Sequence, residues 1–439
     1  MIHWKANKLG VFNMHDIIIE GPARTQGIIR PGGNKNAALP IIAAAMLTDE
    51  QVVLHNLPNI LDADAMLNLA RQIGASVTRN GTDVTIHAKN IDKSDLPRQL
   101  CASIRASILF GAPVTIRCGE ATVGLPGGDF IGRRRLDSHY YGLNKLGISH
   151  KLGNGAVTFK QEKALTGSDM FLDEASVTAT EHILIAAVLA KGTTVIRNAA
   201  SEPHVQQLAE FLNKMGAQIS GIDTNTYIVK GVEKLHGCEY ELEADHIEVA
   251  SFLCMAAATG GSVEFEGHIH PRHYWMTRRV FDRFNIHFKL SKGHISMAAG
   301  QNLKIKMDAG NAIPMISDGP WPQFPSDMMS CLIVTATQAK GTVLFFEKMF
   351  ESRLYFVDRL IAMGANAVVC DPHRVVISGP AKLRSLEMSS PDIRAGMALV
   401  LAASCAKGRS IIHNADMIFR GYENLMEKLQ TLGVQAELI

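Results

Sequence analysis

Residues 31–40 form a glycine-rich segment that places a cation and an amide side chain directly before an alanine-rich stretch. Gly32 and Gly33 precede Lys35 and Asn36 in this segment. A turn of this kind in front of a helix can present a positive charge and backbone N–H groups to an anion. Taken alone, the same segment could be an ordinary helix cap. The pattern therefore indicates either an anion-binding turn or a cap, and the rest of the chain has to decide between them.

Residues 125–135 form a second glycine-rich segment, which ends in three arginines. Gly127, Gly128 and Gly132 give this segment the conformational freedom that catalytic loops often need. The arginines at 133–135 could bind a phosphate, or they could be a solvated surface run. We expect a mobile loop that carries positive charge.

Four isolated arginines stand elsewhere in the chain, at Arg105, Arg353, Arg394 and Arg420. Any one of them alone is more often a surface residue. Together they suit a ligand that carries both a carboxylate and a phosphate, because a guanidinium fork binds either group through two parallel hydrogen bonds. The set therefore favours a small anionic substrate.

Asp327 follows Pro325 and Ser326, a context in which an aspartate is routinely a helix cap. The same carboxylate could serve as a general base that orients or deprotonates a hydroxyl group. The sequence leaves both roles open.

Three histidines lie close together at His268, His270 and His273. Two histidines at positions i and i+2 share one face of a strand and could bind a metal ion. Because no cysteine or carboxylate pattern surrounds them, we expect a polar surface strand and no metal site.

The bulk composition excludes several classes of function. The chain has 439 residues, 47% of them hydrophobic, and its 44 Lys plus Arg balance 42 Asp plus Glu. Balanced charge argues against nucleic-acid and membrane-surface binding, since both depend on an excess of charge. The seven cysteines are scattered without a CxxC pair, so we expect reduced thiols. With no apolar segment at the N-terminus, we expect a cytoplasmic protein.

One pattern of secondary-structure signals repeats along the chain. A helix ends at Gly or Asn and is followed by a strand, a turn and a second strand, and the residue at the helix end recurs at positions 74, 147, 216, 285, 364 and 433. Such a residue allows the left-handed conformation that often terminates a helix. Alanine-rich helices that lead into short β-rich segments alternate with this pattern and suit buried positions. We therefore predict a mixed α/β (α+β) fold of six βαβαββ units, three in each of two domains.

From about residue 16 to the C-terminus, these motifs resemble the enolpyruvyl transferases, and among them the UDP-N-acetylglucosamine 1-carboxyvinyltransferases. The resemblance implies a two-domain inside-out α/β barrel without a cofactor or a metal ion. It implies domains at 14–34 plus 244–439 and at 35–243, with residues 1–13 as an extension and 125–135 as a mobile lid. The implied reaction transfers the enolpyruvyl group of phosphoenolpyruvate to the sugar 3-hydroxyl and commits the nucleotide sugar to peptidoglycan synthesis. The oligomeric state stays undetermined.

The resemblance also assigns roles to single residues. The implied catalytic residues are Asp129, Asp327, Lys35 and Arg420. The implied phosphoenolpyruvate contacts are Lys35, Arg105, Arg134, Arg353, Arg394 and Arg420, with Arg353 and Arg394 at the carboxylate. The implied contacts of the UDP-sugar are Asn36, Arg105, Arg134, Arg135, Asp137, His139, Ser176, Val177, Thr178, Asp327 and Met349. Glu351 is a candidate to stabilise positive charge at C2.

The chain departs from the family pattern at a few positions. Asp129 stands where the family usually has the cysteine that fosfomycin alkylates, so we expect insensitivity to that drug and an aspartate that shuttles the proton to C3 or assists product release. Arg135, Glu174 and His246 replace a proline, a lysine and an arginine on the nucleotide side. Two alternatives therefore stay open, namely transfer to another nucleotide such as UMP and a non-catalytic paralogue that senses these ligands.

Overall fold

The computed structural model describes residues 15–128 and 131–439. Within these ranges the strands are β1 Ile17–Gly21, β2 Ile28–Ile29, β3 Gln51–His55, β4 Ser76–Asn80, β5 Asp83–His87, β6 Glu120–Gly124, β7 Ile148–Gly153, β8 Ala156–Gln161, β9 Asp169–Phe171, β10 Thr193–Arg197, β11 Gln218–Ser220, β12 Thr226–Lys230, β13 Glu239–Glu241, β14 Val263–Glu266, β15 Lys289–Ser291, β16 His294–Met297, β17 Met315–Ser317, β18 Gly341–Phe346, β19 Asn366–Asp371, β20 Arg374–Gly379, β21 Glu387–Ser389, β22 Gly408–His413 and β23 Gln435–Leu438.

The α-helices are α1 Lys35–Ala44, α2 Leu61–Gln72, α3 Arg98–Ser103, α4 Gly111–Cys118, α5 Asp137–Leu146, α6 Val177–Ala187, α7 Pro203–Lys214, α8 His246–Ala258, α9 Trp275–Asp282, α10 Ser326–Gln338, α11 Val357–Ala362, α12 Ile393–Cys405, α13 Asp416–Phe419 and α14 Leu425–Thr431. Short 3-10 helices lie at Ala45–Leu47, Arg105–Phe110, Pro271–Tyr274 and Ala309–Asn311. None of the helices in the described ranges is both long and apolar enough to cross a bilayer.

The strands of the described residues form five four-stranded sheets and one three-stranded sheet. The sheet with the spatial order β17-β18-β20-β19 shows the common plan. Strand β17 runs parallel to β18, and β20 lies between β18 and β19 and is antiparallel to both. In the three-stranded sheet β6-β8-β7, a single parallel bridge between Asp95 and Thr122 takes the place of the first strand. The predicted six βαβαββ units are confirmed.

The repeated helix-end residue has the predicted backbone conformation. Gly74, Gly147, Gly216, Gly364 and Gly433 all have positive φ angles, and Asn285 takes the same role in the sixth unit with φ 59°. Asparagine is one of the few residues other than glycine that adopts this conformation readily. The sixth unit therefore keeps the plan although it lacks the glycine.

The alanine-rich helices are buried and the sheets cover them. Nearly every residue of α8, α10 and α12 is buried, and these three helices pack against one another. Small side chains allow this close packing of backbones. The mixed α/β class and its inside-out arrangement are thereby confirmed, although the strands described do not close into a barrel, because each sheet has open edges.

The buried hydrophobic residues of the described ranges form two clusters. The first consists of residues between Ala37 and Leu242, and the second of residues between Ala244 and Ala436 together with Ile17, Ile19 and Ile29. Strand β1 joins the second cluster because it pairs with β22 and β23. The domain boundaries inferred from the sequence stay a prediction, which this division of the core supports. We call the part of the chain around each cluster a half.

Candidate functional site

A cleft of about 670 Å³ lies between the two halves. Five buried helices begin at its wall, with Lys35, Val177, His246, Ser326 and Ile393 as their first residues. The unit of α4 contributes the start of the 3-10 helix Arg105–Phe110. The helix dipole gives each helix start a partial positive charge; side chains of Asn34, Asp245 and Asp392 cap the starts of α1, α8 and α12, whereas α6 and α10 have no side-chain cap. The repeat itself therefore produces a site that favours anions.

Asp62 joins two of the predicted substrate-binding cations. Its Oδ2 atom lies 2.8 Å from Nζ of Lys35, and its Oδ1 atom lies 2.9 Å from Nε of Arg420. Burial alone would raise the pKa of Asp62, but Lys35 and Arg420 outweigh burial and hold that pKa below its ordinary value. The carboxylate is therefore charged at neutral pH, and it fixes two cations from different halves side by side.

Asp327 lies between two arginines that are almost completely buried. Its Oδ1 atom is 2.8 Å from Nη2 of Arg353, and its Oδ2 atom is 3.0 Å from both Nε and Nη2 of Arg394. Burial would raise the pKa of Asp327, but Arg394 and Arg353 hold it far below its ordinary value. In the part of the chain that the structure describes, Nε of Arg353 and Nη1 of Arg394 have no hydrogen-bond partner. Both arginines also line the cleft, so their guanidinium groups are positioned to meet a ligand there.

The described part of the loop at 131–135 contacts the opposite half. The Ile131 carbonyl accepts a bond from Ser352 N at 3.2 Å, and Arg133 N donates to Oε1 of Glu351 at 3.3 Å. From its own half, Arg105 donates through Nη2 to the carbonyl of Arg134 at 2.8 Å. These contacts hold residues 131–134 at the mouth of the cleft. Asp129, the predicted proton shuttle, lies outside the described residues.

Glu351 is placed differently from our interpretation of the sequence. Its carboxylate faces the backbone of residues 132–133, and its side chain does not contribute to the cleft wall as described. Backbone N–H groups of Glu351 and Arg133 lower the pKa of this carboxyl group. It is therefore placed to hold the loop rather than to face a reacting carbon.

The predicted contacts of the UDP-sugar fall into two groups. Those that line the cleft are Asn36, Arg105, Arg134, Arg135, Ser176, Val177, Thr178, Asp327 and Met349. Asp137 lies next to the cleft, where its carboxylate pairs with Arg135 at 2.7 Å. His139 is fully buried below the wall, with Nε2 at 3.1 Å from Oγ1 of Thr178. The structure therefore does not bring Asp137 or His139 to the cleft wall, although each touches a residue that is there.

Several residues of the cleft were missed in the sequence, namely Asp62, Glu181, Glu202, His204 and Trp321. Burial lowers the pKa of His204 to about 4, so this side chain is uncharged at neutral pH, and burial raises the pKa of Glu181 and Glu202. Glu347, just behind the wall, has its pKa raised to about 9 by burial and by Asp318. No local motif marks these residues. Only their polar character inside apolar segments could have suggested burial in a site.

The histidines at 268–273 contact different residues. His273 has Nδ1 at 2.8 Å from Oε2 of Glu243, and its Nε2 accepts a bond from Nε of Arg272 at 3.0 Å. His268 is 3.9 Å from Glu241. The predicted surface strand is wrong for all three histidines: β14 ends at Glu266, His268 and His270 lie in no strand, and His273 is buried in the 3-10 helix Pro271–Tyr274.

Comparison with known families gives a match to EPSP synthase (3-phosphoshikimate 1-carboxyvinyltransferase) over residues 19–429. Among solved structures, the chain is similar to the enolpyruvyl transferase NikO from Streptomyces tendae, with a TM-score of 0.86, 22% identity, and 97% and 99% of the two chains covered. It is also similar to EPSP synthase from Acinetobacter baumannii, with a TM-score of 0.73, 18% identity, and 97% and 100% covered. At these low sequence identities, the solved structures establish the fold of this chain and nothing further.

Three relatives are much more similar in sequence, and each is named UDP-N-acetylglucosamine 1-carboxyvinyltransferase. The protein of Borreliella burgdorferi is 50% identical, with 97% of this chain and 99% of the relative covered. The protein of Bradyrhizobium diazoefficiens is 50% identical, with 96% and 97% covered. The protein of Treponema pallidum is 48% identical, with 95% and 98% covered.

Proposed function

This chain belongs to the UDP-N-acetylglucosamine 1-carboxyvinyltransferase family of enolpyruvyl transferases, and we propose that it transfers the enolpyruvyl group of phosphoenolpyruvate to the 3-hydroxyl of UDP-N-acetylglucosamine with release of phosphate. The observation that carries the proposal is the pair of ionic clusters in one cleft, Lys35–Asp62–Arg420 and Arg353–Asp327–Arg394. Phosphoenolpyruvate carries one phosphate and one carboxylate, so it needs two such cationic positions.

The two clusters receive the two ends of phosphoenolpyruvate. Arg353 and Arg394 bind the carboxylate, which is supported by the place of both residues on the cleft wall. Lys35, Arg420 and Arg134 bind the phosphate, and Arg105 supports the loop that carries Arg134. Because Asp62 and Asp327 keep these cations in place beforehand, little reorganisation is needed when the substrate binds.

The acceptor occupies the side of the cleft at the start of α6. Ser176 precedes this helix, and Val177 and Thr178 begin it, which suits a diphosphate group. Asn36 and Asp327 face the sugar. The strongly lowered pKa makes Asp327 a weak base, so in the resting enzyme it orients the hydroxyl as a hydrogen-bond acceptor. When the substrate carboxylate binds the same arginines, it weakens their hold on Asp327, and the carboxyl group becomes more basic.

The reaction is an addition followed by an elimination. A proton is added to C3 of phosphoenolpyruvate, the hydroxyl oxygen bonds to C2, and the hydroxyl proton leaves through Asp327. Loss of a proton from C3 then breaks the bond between C2 and the phosphate oxygen, which yields the enol ether and phosphate. The cations at the phosphate stabilise the charge of the leaving group. We assign the proton transfer at C3 to Asp129 on the family resemblance alone.

Three finer points are also part of the proposal. The protein works in the cytoplasm, because UDP-N-acetylglucosamine and phosphoenolpyruvate are cytoplasmic metabolites, and its product enters peptidoglycan synthesis. It is insensitive to fosfomycin, because Asp129 offers no thiolate. Residues 14–34 plus 244–439 and residues 35–243 act as two domains that enclose the cleft.

The test is phosphate release from phosphoenolpyruvate with UDP-N-acetylglucosamine, UMP and shikimate 3-phosphate as parallel acceptors. We expect release with UDP-N-acetylglucosamine and at most background release with the other two, and the product should contain one enol ether per phosphate. Release with UMP alone would replace the proposed acceptor. Binding of both substrates without release by any acceptor would instead indicate a ligand-sensing protein.

A further inference from the structure

Among the described residues, one stretch of the cleft wall carries neither cations nor carboxylates. It is formed by Pro320, Trp321 and Pro325, which lead along the chain to Asp327. The indole ring of Trp321 lies edge to face with the ring of His246, at 6.4 Å between centroids and 75° between planes. Because His246 also lines the cleft, the indole is at the wall itself. This stretch is the part of the wall best suited to an uncharged group with an apolar face.

The backbone of Trp321 is held by the opposite half. Its N–H donates to Oε1 of Glu202 at 3.2 Å, and its carbonyl accepts a bond from Oγ of Ser201 at 3.5 Å. Burial raises the pKa of Glu202, and its Oε2 atom has no partner among the described residues. A carboxyl oxygen can accept the bond from the Trp321 N–H whether or not the group carries a proton. The position of Trp321 therefore depends on Glu202 and on the two halves being together.

We propose that Trp321, held in place by Glu202, is the platform for the sugar ring of the acceptor and the main determinant of its preference for a nucleotide sugar over the free nucleotide. The inference rests on the proposed function and names a contact for the group that it transfers to. The acceptor has its diphosphate at the start of α6 and its reacting hydroxyl at Asp327, so its pyranose ring lies between these two places. Trp321 precedes Asp327 by six positions on the same segment.

The physical reason is the shape of a pyranose ring. One face of the ring presents mainly C–H groups, and these lose water most favourably against a flat aromatic surface. The polar edge of the ring stays available to Asn36 and Asp327, which lie on the same cleft. The indole therefore supplies affinity, while the polar residues fix which hydroxyl reacts.

The experiment compares ligands with and without the sugar. Affinities for UDP-N-acetylglucosamine and UDP are measured by calorimetry for the wild type, Trp321→Ala and Trp321→Phe, and KM values are measured for both substrates. Trp321→Ala should weaken UDP-N-acetylglucosamine binding about 10- to 50-fold, in the range expected for one lost apolar contact in a pocket. UDP affinity and the KM for phosphoenolpyruvate should stay within about 2-fold, since neither ligand has the ring.

Two further variants keep the result interpretable. Trp275→Ala is the matched control, because Trp275 is 70% exposed and lies outside the cleft wall described here, and it should behave as the wild type. Trp321→Phe should recover most of the affinity, because it restores a flat ring. Glu202→Gln should retain the affinity for UDP-N-acetylglucosamine, because its amide oxygen can accept the bond from the Trp321 N–H. Glu202→Ala should lose part of this affinity. Thermal unfolding of each variant identifies those that fail to fold.

The following outcomes would contradict the role of Trp321 as the platform for the sugar ring. Equal weakening of UDP and UDP-N-acetylglucosamine by Trp321→Ala would mean that the residue shapes the whole cleft. If a folded Trp321→Ala protein keeps its affinity for UDP-N-acetylglucosamine, the sugar ring does not bind against Trp321. The proposed function would still hold in that case, because it depends on the turnover of the wild type. If the wild type neither binds nor converts UDP-N-acetylglucosamine, the proposed function fails and the platform fails with it.

Discussion

Gly132 and Glu351 are in contact across the mouth of the cleft, and a Cβ atom at Gly132 would lie 2.5 Å from Oε2 of Glu351. Gly132 also has a φ of 138°, which side-chain-bearing residues rarely adopt. Two backbone contacts accompany this approach, one from Arg133 to the Glu351 carboxylate and one between Ile131 and Ser352. The loop that carries Arg134 is thus fitted against the segment that carries Arg353.

Replacement of Gly132 by alanine should therefore impair catalysis. A φ of 138° is strained for alanine, and the methyl group also displaces the Glu351 carboxylate that accepts from Arg133, so the loop moves and Arg134 leaves the phosphate position. We expect kcat/KM for phosphoenolpyruvate to fall about 10- to 100-fold, the cost of losing one oriented charge contact. Thermal unfolding should change little, because the loop is at the surface. An unchanged kcat/KM would show that this fit has no part in turnover.

Asp62→Asn should destabilise the protein and alter its response to phosphoenolpyruvate. The variant removes the buried carboxylate that pairs with both Lys35 and Arg420, and loss of one partner of a buried ion pair typically costs about 3–5 kcal/mol of unfolding free energy. Urea denaturation measures this loss. Phosphoenolpyruvate should raise the melting temperature of the variant more than that of the wild type, because the bound phosphate restores the missing negative charge. An equal shift in both proteins would argue against phosphate binding at these cations.

Asp327→Asn should retain substrate binding and lose turnover. The amide keeps the shape of the side chain but cannot take the hydroxyl proton, so kcat should fall about 100-fold or more, as for other general bases. Because Arg394 and Arg353 hold the pKa of Asp327 far below its ordinary value, no loss of activity between pH 4 and 6 should arise from this group in the free enzyme. The kcat/KM profile of the wild type tests this. Full kcat in Asp327→Asn would exclude the proposed role.

Glu347→Gln should change how stability depends on pH. Unfolded Glu347 loses its proton near its ordinary pKa of about 4.3, whereas the folded group holds it up to about 9. The folded state therefore binds more protons in this range, and the contribution of Glu347 to stability is lost as the pH rises. Between pH 5 and pH 8 the wild type should lose at least about 1 kcal/mol relative to the variant.

Chemical denaturation at the two pH values measures this difference, and titrating groups away from Glu347 and its neighbour Asp318 cancel because both proteins share them. The same difference at both pH values would show that Glu347 is ionised in the folded protein.

Fosfomycin should leave the wild type active, because a carboxylate at Asp129 does not form the thioether that inactivates cysteine-containing relatives. An Asp129→Cys variant should become sensitive in a time-dependent way if it retains activity. The measurement is residual phosphate release after incubation with the drug, followed by mass spectrometry of the peptide that contains residue 129. Rapid inactivation of the wild type with alkylation near residue 129 would contradict the prediction.

The sequence alone determined the fold and most of the cations. The helix-end glycines impose a local backbone conformation, so their spacing revealed six units, and even Asn285 could be assigned because it adopts that conformation. The motifs at Lys35, Asp327 and Arg353 could be identified for a similar reason, since each is a short, distinctive run of residues around one functional side chain.

Only the tertiary structure decided which residues meet. Asp62 and Arg420 are 358 positions apart, and Glu202 and Trp321 are 119 apart, so nothing in either local sequence indicates the other. The structure also placed His139 below Thr178, and Glu351 against the loop, because burial and side-chain direction depend on packing between units. Spacing along the chain fixes local backbone geometry, whereas the charge balance of the cleft arises only when distant segments pack together.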